Sequence, residues 1–525
     1  MCGIWAVFGA KSDVKGLCLH AMKVAHRGPD AFAIESIPAF ARSCLAFYRL
    51  AIVGLSLGMQ PMKLAAYPHL TLIFNGEIYN WKELGDRYDL PYEKHSDGEA
   101  IIHLYARFGA SEMARMLDGI FAFCIVDTKE RKVVLGRDLF GIKPLFTFQN
   151  EGMLALCSEV KGLIELPDKK DAIIDHFPPG HVQSFDVTEA GDVVPGEKTP
   201  FLRIGESDIS DLPTNDPLAN IRNLLKEAVK KRLMSDRPIG CLLSGGLDSS
   251  LVTALSVECM KERDANYRIP TFCIGLEGSV DIKAARITAK HLGTDHHEII
   301  LTPREGYDVL QDVIYSLETF DMIVTRGSIP MYLISKYIRE HLDTPVIMSG
   351  EGSDELCQGY ECFREFASAF DADSKSRRYL KDLYLYDVLR VDRVTSAHGL
   401  ELRVPFLDKR FTSYYLSLSA KERWNEKGIE KHLLRKAFDG TGLLPDEILW
   451  RPKLGFSHGV SSKEQTWFGL LENFAQDKVS AAMLSSAGQT FEGVQPTTRE
   501  TYYYRQIFEE RFPNCSHLVP HYWTP

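Results

Sequence analysis

The stretch IGCLLSGGLDSSLVTALSVECM, residues 239–260, decides the fold. A short apolar run enters a glycine- and serine-rich turn, and a helix-forming segment follows at once. Gly245 and Gly246 let the backbone turn tightly and bring its N–H groups toward an anion. Ser244, Ser249 and Ser250 add hydroxyl donors, and the helix N-terminus adds partial positive charge. Asp248 suits an anion site only if it holds a metal ion, and Mg²⁺ bound through one or two carboxylates plus phosphate is the usual arrangement. Glycine and serine alone would read as an ordinary strand-to-helix turn. Strand, two glycines, aspartate, serines and helix in this order are more specific. No G-K-[ST] follows, so this is not the Walker loop.

Outward from this stretch, strand and helix alternate. IPTFCIGL (269–276), HHEIIL (296–301) and PVIMSG (345–350) read as strands, and IKAARITAKHLG (282–293) reads as a helix. Short apolar strands separated by helices predict a parallel sheet covered on both faces. Ligands of such sheets sit at the carboxyl ends of the strands. A second turn, SGEGSDE (349–355), falls on that same edge and brings Glu351, Asp354 and Glu355 toward the phosphates. Two such loops, each with a carboxylate, point to a metal–nucleotide site. Beyond residue 360 the pattern is mostly helical.

Upstream, Asp216-Pro217 gives an N-cap followed by proline at the first helical position. Ile221, Leu224, Leu225, Ala228, Val229 and Leu233 then recur on one apolar face. Residues 196–217, GEKTPFLRIGESDISDLPTNDP, read as a linker between a domain at 2–195 and one at 218–525. The first domain has another rhythm. IWAVFG (4–9), SCLAFYRLAIV (43–53), LTLIFNGEIYN (70–80), FAFCIVD (121–127), KVVLGRD (132–138), LALCSEV (154–160) and HVQSFDV (181–187) read as strands. Helices interrupt at residues 19–28 and 96–109, the latter opening on Ser96 with Glu99 in a capping-box pattern. Consecutive strands with few helices predict packed antiparallel sheets. The whole is a multidomain α/β chain.

Composition bounds the function. With 61 basic against 71 acidic residues the net charge is −10, which lacks the basic footprint of a nucleic-acid binder. Eleven cysteines show no C-x-x-C and no zinc-finger spacing, which fits a reducing compartment. The N-terminus lacks the basic region of a signal peptide, and no apolar run reaches the ~18 residues of a membrane span. The expected location is the cytosol, with no membrane partner. Cys2 has two readings. It is a small buried hydrophobe at the start of a strand, or, with Met1 cleaved, a residue carrying thiol and free amine together. Position alone favours the first.

SGGLDSS (244–250) is similar to the fingerprint of the ATP pyrophosphatases, which split ATP between the α and β phosphates. SGEGSDE and HGLELRVPFLD (398–408) resemble stretches of the glutamine-hydrolysing asparagine synthetases, closest to the animal form, and the resemblance runs through the chain in order. It implies an N-terminal-nucleophile glutaminase of αββα sandwich type, followed by an ATP-pyrophosphatase-type sheet with added helices. The substrates implied are glutamine, aspartate and ATP, with Mg²⁺; a homodimer comes by family only. Cys2 then becomes the nucleophile, its own α-amine the base, whose reference pKa of about 7.7–8.0 lies near working pH. Asn75 and Gly76 would form the oxyanion hole. Arg49 would clamp the glutamine α-carboxylate, with Leu50, Ala51, Ile52, Val53 and Glu77 beside the substrate, and Asp97 would hold its α-amine. His26 and Arg27, in AHRGPDAF, match the family without an implied chemical role.

In the second domain the resemblance implies that Leu242 and Ile274 contact the nucleotide, with Ser349 and Gly350 near the ribose and α-phosphate. Ser244, Gly245, Gly246, Ser249 and Ser250 would cradle pyrophosphate, and Asp248 and Asp354 would hold Mg²⁺. Glu351 would lie at the acyl-adenylate intermediate. Arg326 and Lys453 would neutralise charge on the transferring phosphate. An enclosed passage for ammonia between the domains follows from family and logic. Departures from the family pattern cluster here: Leu454 and His458 in RPKLGFSHG, Arg364 and Glu365 in GYECFREFA, and Gly327 in TRGS. Two rivals remain: a related ligase acting on another carboxylate, and a non-catalytic regulatory protein of the same fold.

Overall fold

The computed structural model describes residues 1–167, 171–213, 216–424, 428–462 and 464–524, save the side chain of Lys15. They form two units: Met1–Arg203 with Ser396–Leu400, and Ile204–Thr395 with Glu401–Pro525.

The first unit contains eleven strands: β1 (Gly3–Phe8), β2 (Ala31–Ser36), β3 (Cys44–Arg49), β4 (Leu70–Ile78), β5 (Gly119–Asp127), β6 (Lys132–Arg137), β7 (Phe146–Asn150), β8 (Met153–Cys157), β9 (Ile173–His176), β10 (His181–Val187) and β11 (Val193–Pro200). They pair as two antiparallel sheets, β2-β3-β1-β8-β7-β9 and β11-β10-β6-β5-β4. Alternate residues of facing strands fill the space between them, as the period of a strand demands. Ile4, Ala6 and Phe8 from β1 and Leu45 and Phe47 from β3 meet Ile73 of β4 and Ala122, Cys124 and Val126 of β5. The helix Val14–Ala21 packs on the outer face of the first sheet and the helix Glu99–Met116 on the second. This gives the four-layer αββα arrangement.

Three local expectations differ. Residues 196–200 of the expected linker belong to β11, an edge strand, where Pro195 and Pro200 are tolerated because one side needs no ladder partner. The helix expected to open at Ser96 begins at Glu99 with Gly98 as its cap residue, and no side chain caps it. Glu99 still accepts the Ser96 N–H at 3.1 Å, but its carboxylate also takes the N–H groups of Glu93 and Lys94. Half of the box therefore serves the preceding loop. Finally, the segment expected as one helix at 19–28 ends its α-helix at Ala21 and continues as a 3₁₀ turn, Met22–Arg27.

The second unit is built on β12 (Ile239–Leu242), β13 (Pro270–Gly275), β14 (Asp295–Ile300), β15 (Val346–Met348) and β16 (Glu401–Arg403). All neighbours are parallel, in the order β14-β13-β12-β15-β16. The chain moves outward from β12 to β14, then returns to the other side of β12 for β15. The sheet reverses direction of growth between β12 and β15, and ligands bind at such switch points. The two strands concerned are the ones that feed SGGLDSS and SGEGSDE. The helix before this sheet, Pro217–Arg232, opens as its sequence predicts, with the Asp216 carboxylate accepting the Ala219 N–H at 2.9 Å.

Candidate functional site

In the first unit β1 lies between β3 and β8, which puts Cys2, just ahead of it, beside the end of β3. Met1 precedes Cys2 and is buried, so the Cys2 nitrogen described here is a peptide N–H. It donates to Asn75 Oδ1 at 3.0 Å, while the thiol lies 3.7 Å from the Leu50 carbonyl. Arg27 Nε donates to the Cys2 carbonyl at 3.1 Å, and the same guanidinium pairs with Glu159 at 2.6 Å. Arg27 thus supports Cys2, a role that no local sequence pattern signals.

Asn75 sits in the middle of β4 and is completely buried. With Oδ1 taken by the Cys2 N–H, its Nδ2 has no partner among the described residues. A buried donor without an acceptor is costly, so this one is kept for something that arrives. Gly76 follows with φ +150°, and a Cβ there would sit 2.0 Å from the Ile120 carbonyl of β5. Only glycine allows β4 and β5 to approach so closely beside Asn75.

Arg49 ends β3, is 8% exposed, and gives its two terminal nitrogens to the carbonyls of Leu55 and Gly54, each at 2.8 Å. No carboxylate lies within ion-pair distance of it among the described residues. A buried guanidinium fixed only by carbonyls is ready for an anion, and its planar fork suits a carboxylate. Asp97 is buried and accepts the Ile78 N–H at 2.7 Å, which ties it to the end of β4. Leu50 and Ile52 are buried, Ala51 and Val53 partly so, and Glu77 is buried on β4.

The second unit carries a cavity of about 760 Å³ at the switch point. Leu242, Ser244, Gly246, Asp248, Ser249, Ile274, Arg326, Ser349, Gly350, Glu351, Asp354 and Lys453 all line it. Gly245 and Ser250 do not; Ser250 is buried with its hydroxyl 3.4 Å from Thr288 Oγ1. The two loops touch at Gly350, where an added Cβ would fall 2.7 Å from the backbone of Asp248.

That contact creates a compact charge cluster. Asp248 accepts from Ser353 Oγ at 2.8 Å and pairs with Lys431. Asp354 pairs with Lys431 at 2.6 Å and with Lys453 at 2.5 Å. Burial pushes the Asp354 carboxyl up, but the two ammonium groups outweigh it and hold it well below the usual carboxylate range. Burial lowers the Lys453 ammonium's affinity for its proton, and Asp354 and Asp248 more than restore it. Lys431, nearly completely buried, was invisible to sequence reading. It lies in IEKHLLRKAF, which reads as an ordinary helix start. Among the described residues no third His, Cys, Asp or Glu completes a metal cage. Two carboxylates fit Mg²⁺ that brings its own phosphate and water ligands.

Glu351 is held by Arg390 at 2.8 Å, and Arg390 also donates to Asp387 at 3.0 Å. Burial raises the Glu351 carboxyl above its ordinary value, with Arg390 opposing and Asp387 reinforcing. Arg326 departs from expectation. Both arms of its guanidinium are taken by Glu500, from the helix Arg499–Arg511, one of them at 2.8 Å. Its charge is therefore already countered, although the residue lines the cavity. Among the departures from the family pattern, Leu454 is exposed in the cavity wall, the His458 ring lies 5.2 Å from Phe468, and Arg364 pairs with buried Glu430. Glu365 is exposed outside the cavity lining, and Gly327 has room for a methyl group, the nearest atom being Arg390 Cδ at 3.6 Å.

Both units match known families. Residues 220–377 and 364–524 match the asparagine synthase family, and residues 1–186 match the glutamine amidotransferase domain. The chain is 49% identical over 539 residues to the glutamine-hydrolysing asparagine synthetase of Gallus gallus, 48% to that of Bos taurus and 47% to that of Homo sapiens. In each case the match covers 100% of this chain and 96% of the relative.

Proposed function

The chain belongs to the glutamine-hydrolysing asparagine synthetase family, and from that membership we propose that its two sites run one coupled amide synthesis. Glutamine is hydrolysed in the first unit to glutamate and ammonia. In the second, a carboxylate oxygen of aspartate attacks the α-phosphorus of ATP and pyrophosphate leaves. Ammonia then attacks the β-aspartyl-AMP carbonyl, and asparagine and AMP are released. Activation is needed because a carboxylate is a poor electrophile without a leaving group.

The first unit supports the glutaminase half. Removal of Met1 turns the Cys2 nitrogen into an α-amine on the residue that carries the thiol, and that amine takes the thiol proton. The thiolate attacks the glutamine amide carbon. Asn75 Nδ2 meets the oxygen on which charge develops, the kind of donor that contributes most to such reactions. Arg49 binds the α-carboxylate and Asp97 the α-amine.

The observation that carries the synthetase half is the meeting of SGGLDSS and SGEGSDE over one cavity at the switch point. Ser244, Gly246 and Ser249 line the phosphate side, and Lys431 and Lys453 offset phosphate charge. Asp248 and Asp354 are the residues that would hold Mg²⁺, which supplies further charge neutralisation when bound with the nucleotide. Glu351, its carboxyl raised above its ordinary value by burial, suits acceptance of the proton that the attacking ammonia loses. We place the protein in the cytosol: all eleven cysteines are free thiols, and no described helix is long and apolar enough to cross a membrane.

The test is a product assay on purified protein with ATP, Mg²⁺, aspartate, and either glutamine or ammonium. Pyrophosphate, AMP and asparagine should appear in equal amounts with both donors. No ATP-dependent product with either donor removes the assignment, and product from another carboxylic acid alone transfers it to the rival ligase.

A further inference from the structure

We propose that Trp523 is a substrate-binding residue, its indole N–H donating to a carboxylate oxygen of the acceptor amino acid. The inference rests on the synthetase reading above and adds a residue to it. Trp523 lies in the segment after the helix Arg499–Arg511, in HLVPHYWTP, where nothing in the sequence pattern sets it apart. The structure nevertheless makes it part of the cavity wall at 3% exposure.

Its placement is fixed from several sides. The Trp523 backbone N–H donates to Asp321 Oδ2 at 2.6 Å, and Asp321 is the N-cap of the helix Met322–His341 that carries Arg326 and Met331 into the cavity. The indole stacks on Tyr386 at 4.5 Å between centroids and tilts against Tyr379 at 4.7 Å. The hydroxyls of these two tyrosines donate to the carbonyls of His521 and Thr524, at 2.8 and 2.9 Å. The segment is therefore clamped on both sides of the tryptophan, and its ring has little freedom.

Against this order, Nε1 stands out. It is buried and has no hydrogen-bond partner among the described residues. A buried indole N–H normally finds an acceptor, and leaving it without one is costly. Trp523 lines the cavity, and a donor in this state has an acceptor to gain from a ligand there. Tyr386 identifies which part of the ligand. It precedes Asp387, which holds Arg390, which holds Glu351. Trp523 is thus linked, through Tyr386 and its neighbour Asp387, to the side of the cavity that carries Glu351, where the proposed reaction activates the acyl group. That wall carries the carboxylates Glu351 and Asp387, and the Tyr360 hydroxyl lies within hydrogen-bond distance of Asp387, at 3.1 Å, and of Glu355 behind it. The Arg390 guanidinium there is already engaged by Glu351 and Asp387. Admitting a dicarboxylic amino acid to such a wall requires an uncommitted donor, and Trp523 Nε1 supplies one.

The variant W523F keeps an aromatic ring on Tyr386 and the backbone bond to Asp321; it removes the N–H together with part of the ring, and the comparison of KM values separates the two effects. In ammonium-dependent synthesis the KM for aspartate should rise roughly tenfold, as for loss of a hydrogen bond to a charged group. The KM for ATP and the rate of glutamine hydrolysis should stay at parental values. A parental aspartate KM in W523F overturns the proposal, and so does an equal rise in both KM values, which marks a packing role. A second measurement uses the unmodified protein labelled with ¹⁵N-tryptophan. One indole N–H signal, the one absent from W523F, should move downfield when aspartate is added with a non-hydrolysable ATP analogue. Six unmoved indole signals, one for each tryptophan of the chain, overturn it as well. An unmodified protein that makes no asparagine sinks the synthetase reading itself, whereas an active parent with an indifferent W523F sinks only the role of Trp523.

Discussion

Asn75 makes the sharpest demand at the scale of single residues. Its carbonyl oxygen accepts from Cys2, and its amide nitrogen is left buried without a partner. Asn75→Ala should cut kcat for glutamine hydrolysis by about 10²–10³, as removal of one oxyanion donor does elsewhere. The KM for glutamine should change little, because the donor acts on charge that develops only during the reaction. Steady-state glutaminase kinetics check this, and a parental kcat would remove Asn75 from the oxyanion hole. Arg326 teaches the opposite lesson. The family resemblance implies a phosphate-neutralising cation there, yet Glu500 already occupies both arms of its guanidinium. Which acid an arginine meets depends on a contact between distant parts of the chain, and no local pattern encodes it. Lys431 is the converse case: its sequence setting is bland, and its position between Asp248 and Asp354 makes it central.

Elements with a clean period were legible. β1, β4, β5, β6, β8 and β10 appear where alternating or continuous apolar runs stand between turn residues. The short β16 was not, because three residues inside ELRVPFLD carry no period of their own. Its pairing with β15 is what makes it a strand. β2 was missed for another reason: as an edge strand it exposes every second residue, Phe32 included, so its pattern lacks a buried signature. Asp408 shows how helices are joined. It caps the helix Lys409–Ser417 with one oxygen and pairs through the other with Lys231 and with Arg232 at 2.9 Å, on Pro217–Arg232. Burial raises its carboxyl, but Lys231 and Arg232 outweigh burial and hold it well below the usual range. A carboxylate depressed in the folded state adds stability that is present above its unfolded pKa of about 3.9 and is lost as pH falls toward the folded value. Asp408→Asn keeps a capping oxygen and removes the charge. It should cost about 3–5 kcal/mol at pH 7, and the gap to the parent should close below about pH 4. Urea midpoints across that pH range measure it; a gap independent of pH would show that charge is not what Asp408 contributes.

At the scale of the molecule, the glutamine amidotransferase match and the asparagine synthase match fall in separate units, each with its own sheets, and the proposed function gives each unit its own chemistry. Two substitutions should therefore separate the activities. Cys2→Ala should abolish glutamine-dependent synthesis and leave ammonium-dependent synthesis intact. Asp248→Asn should silence synthesis with either donor while glutamine hydrolysis continues. Parallel assays of glutamate, pyrophosphate and asparagine decide this, and a Cys2→Ala protein equally dead with both donors contradicts the division. The sequence by itself determined the strand–loop–helix at 239–260, the second acidic loop, the antiparallel rhythm ahead of them and a cysteine at position 2. Those features are local, fixed by backbone demands of glycine, by hydrophobic period and by turn chemistry within a few residues. Only the tertiary structure decided that Asn75 keeps a donor in reserve, that Glu500 claims Arg326, that Lys431 joins the two aspartates and that Trp523 walls the cavity. Burial and charge pairing are set by neighbours 73 to 202 residues away along the chain, and their energies exist only once the sheets and helices have brought those neighbours together.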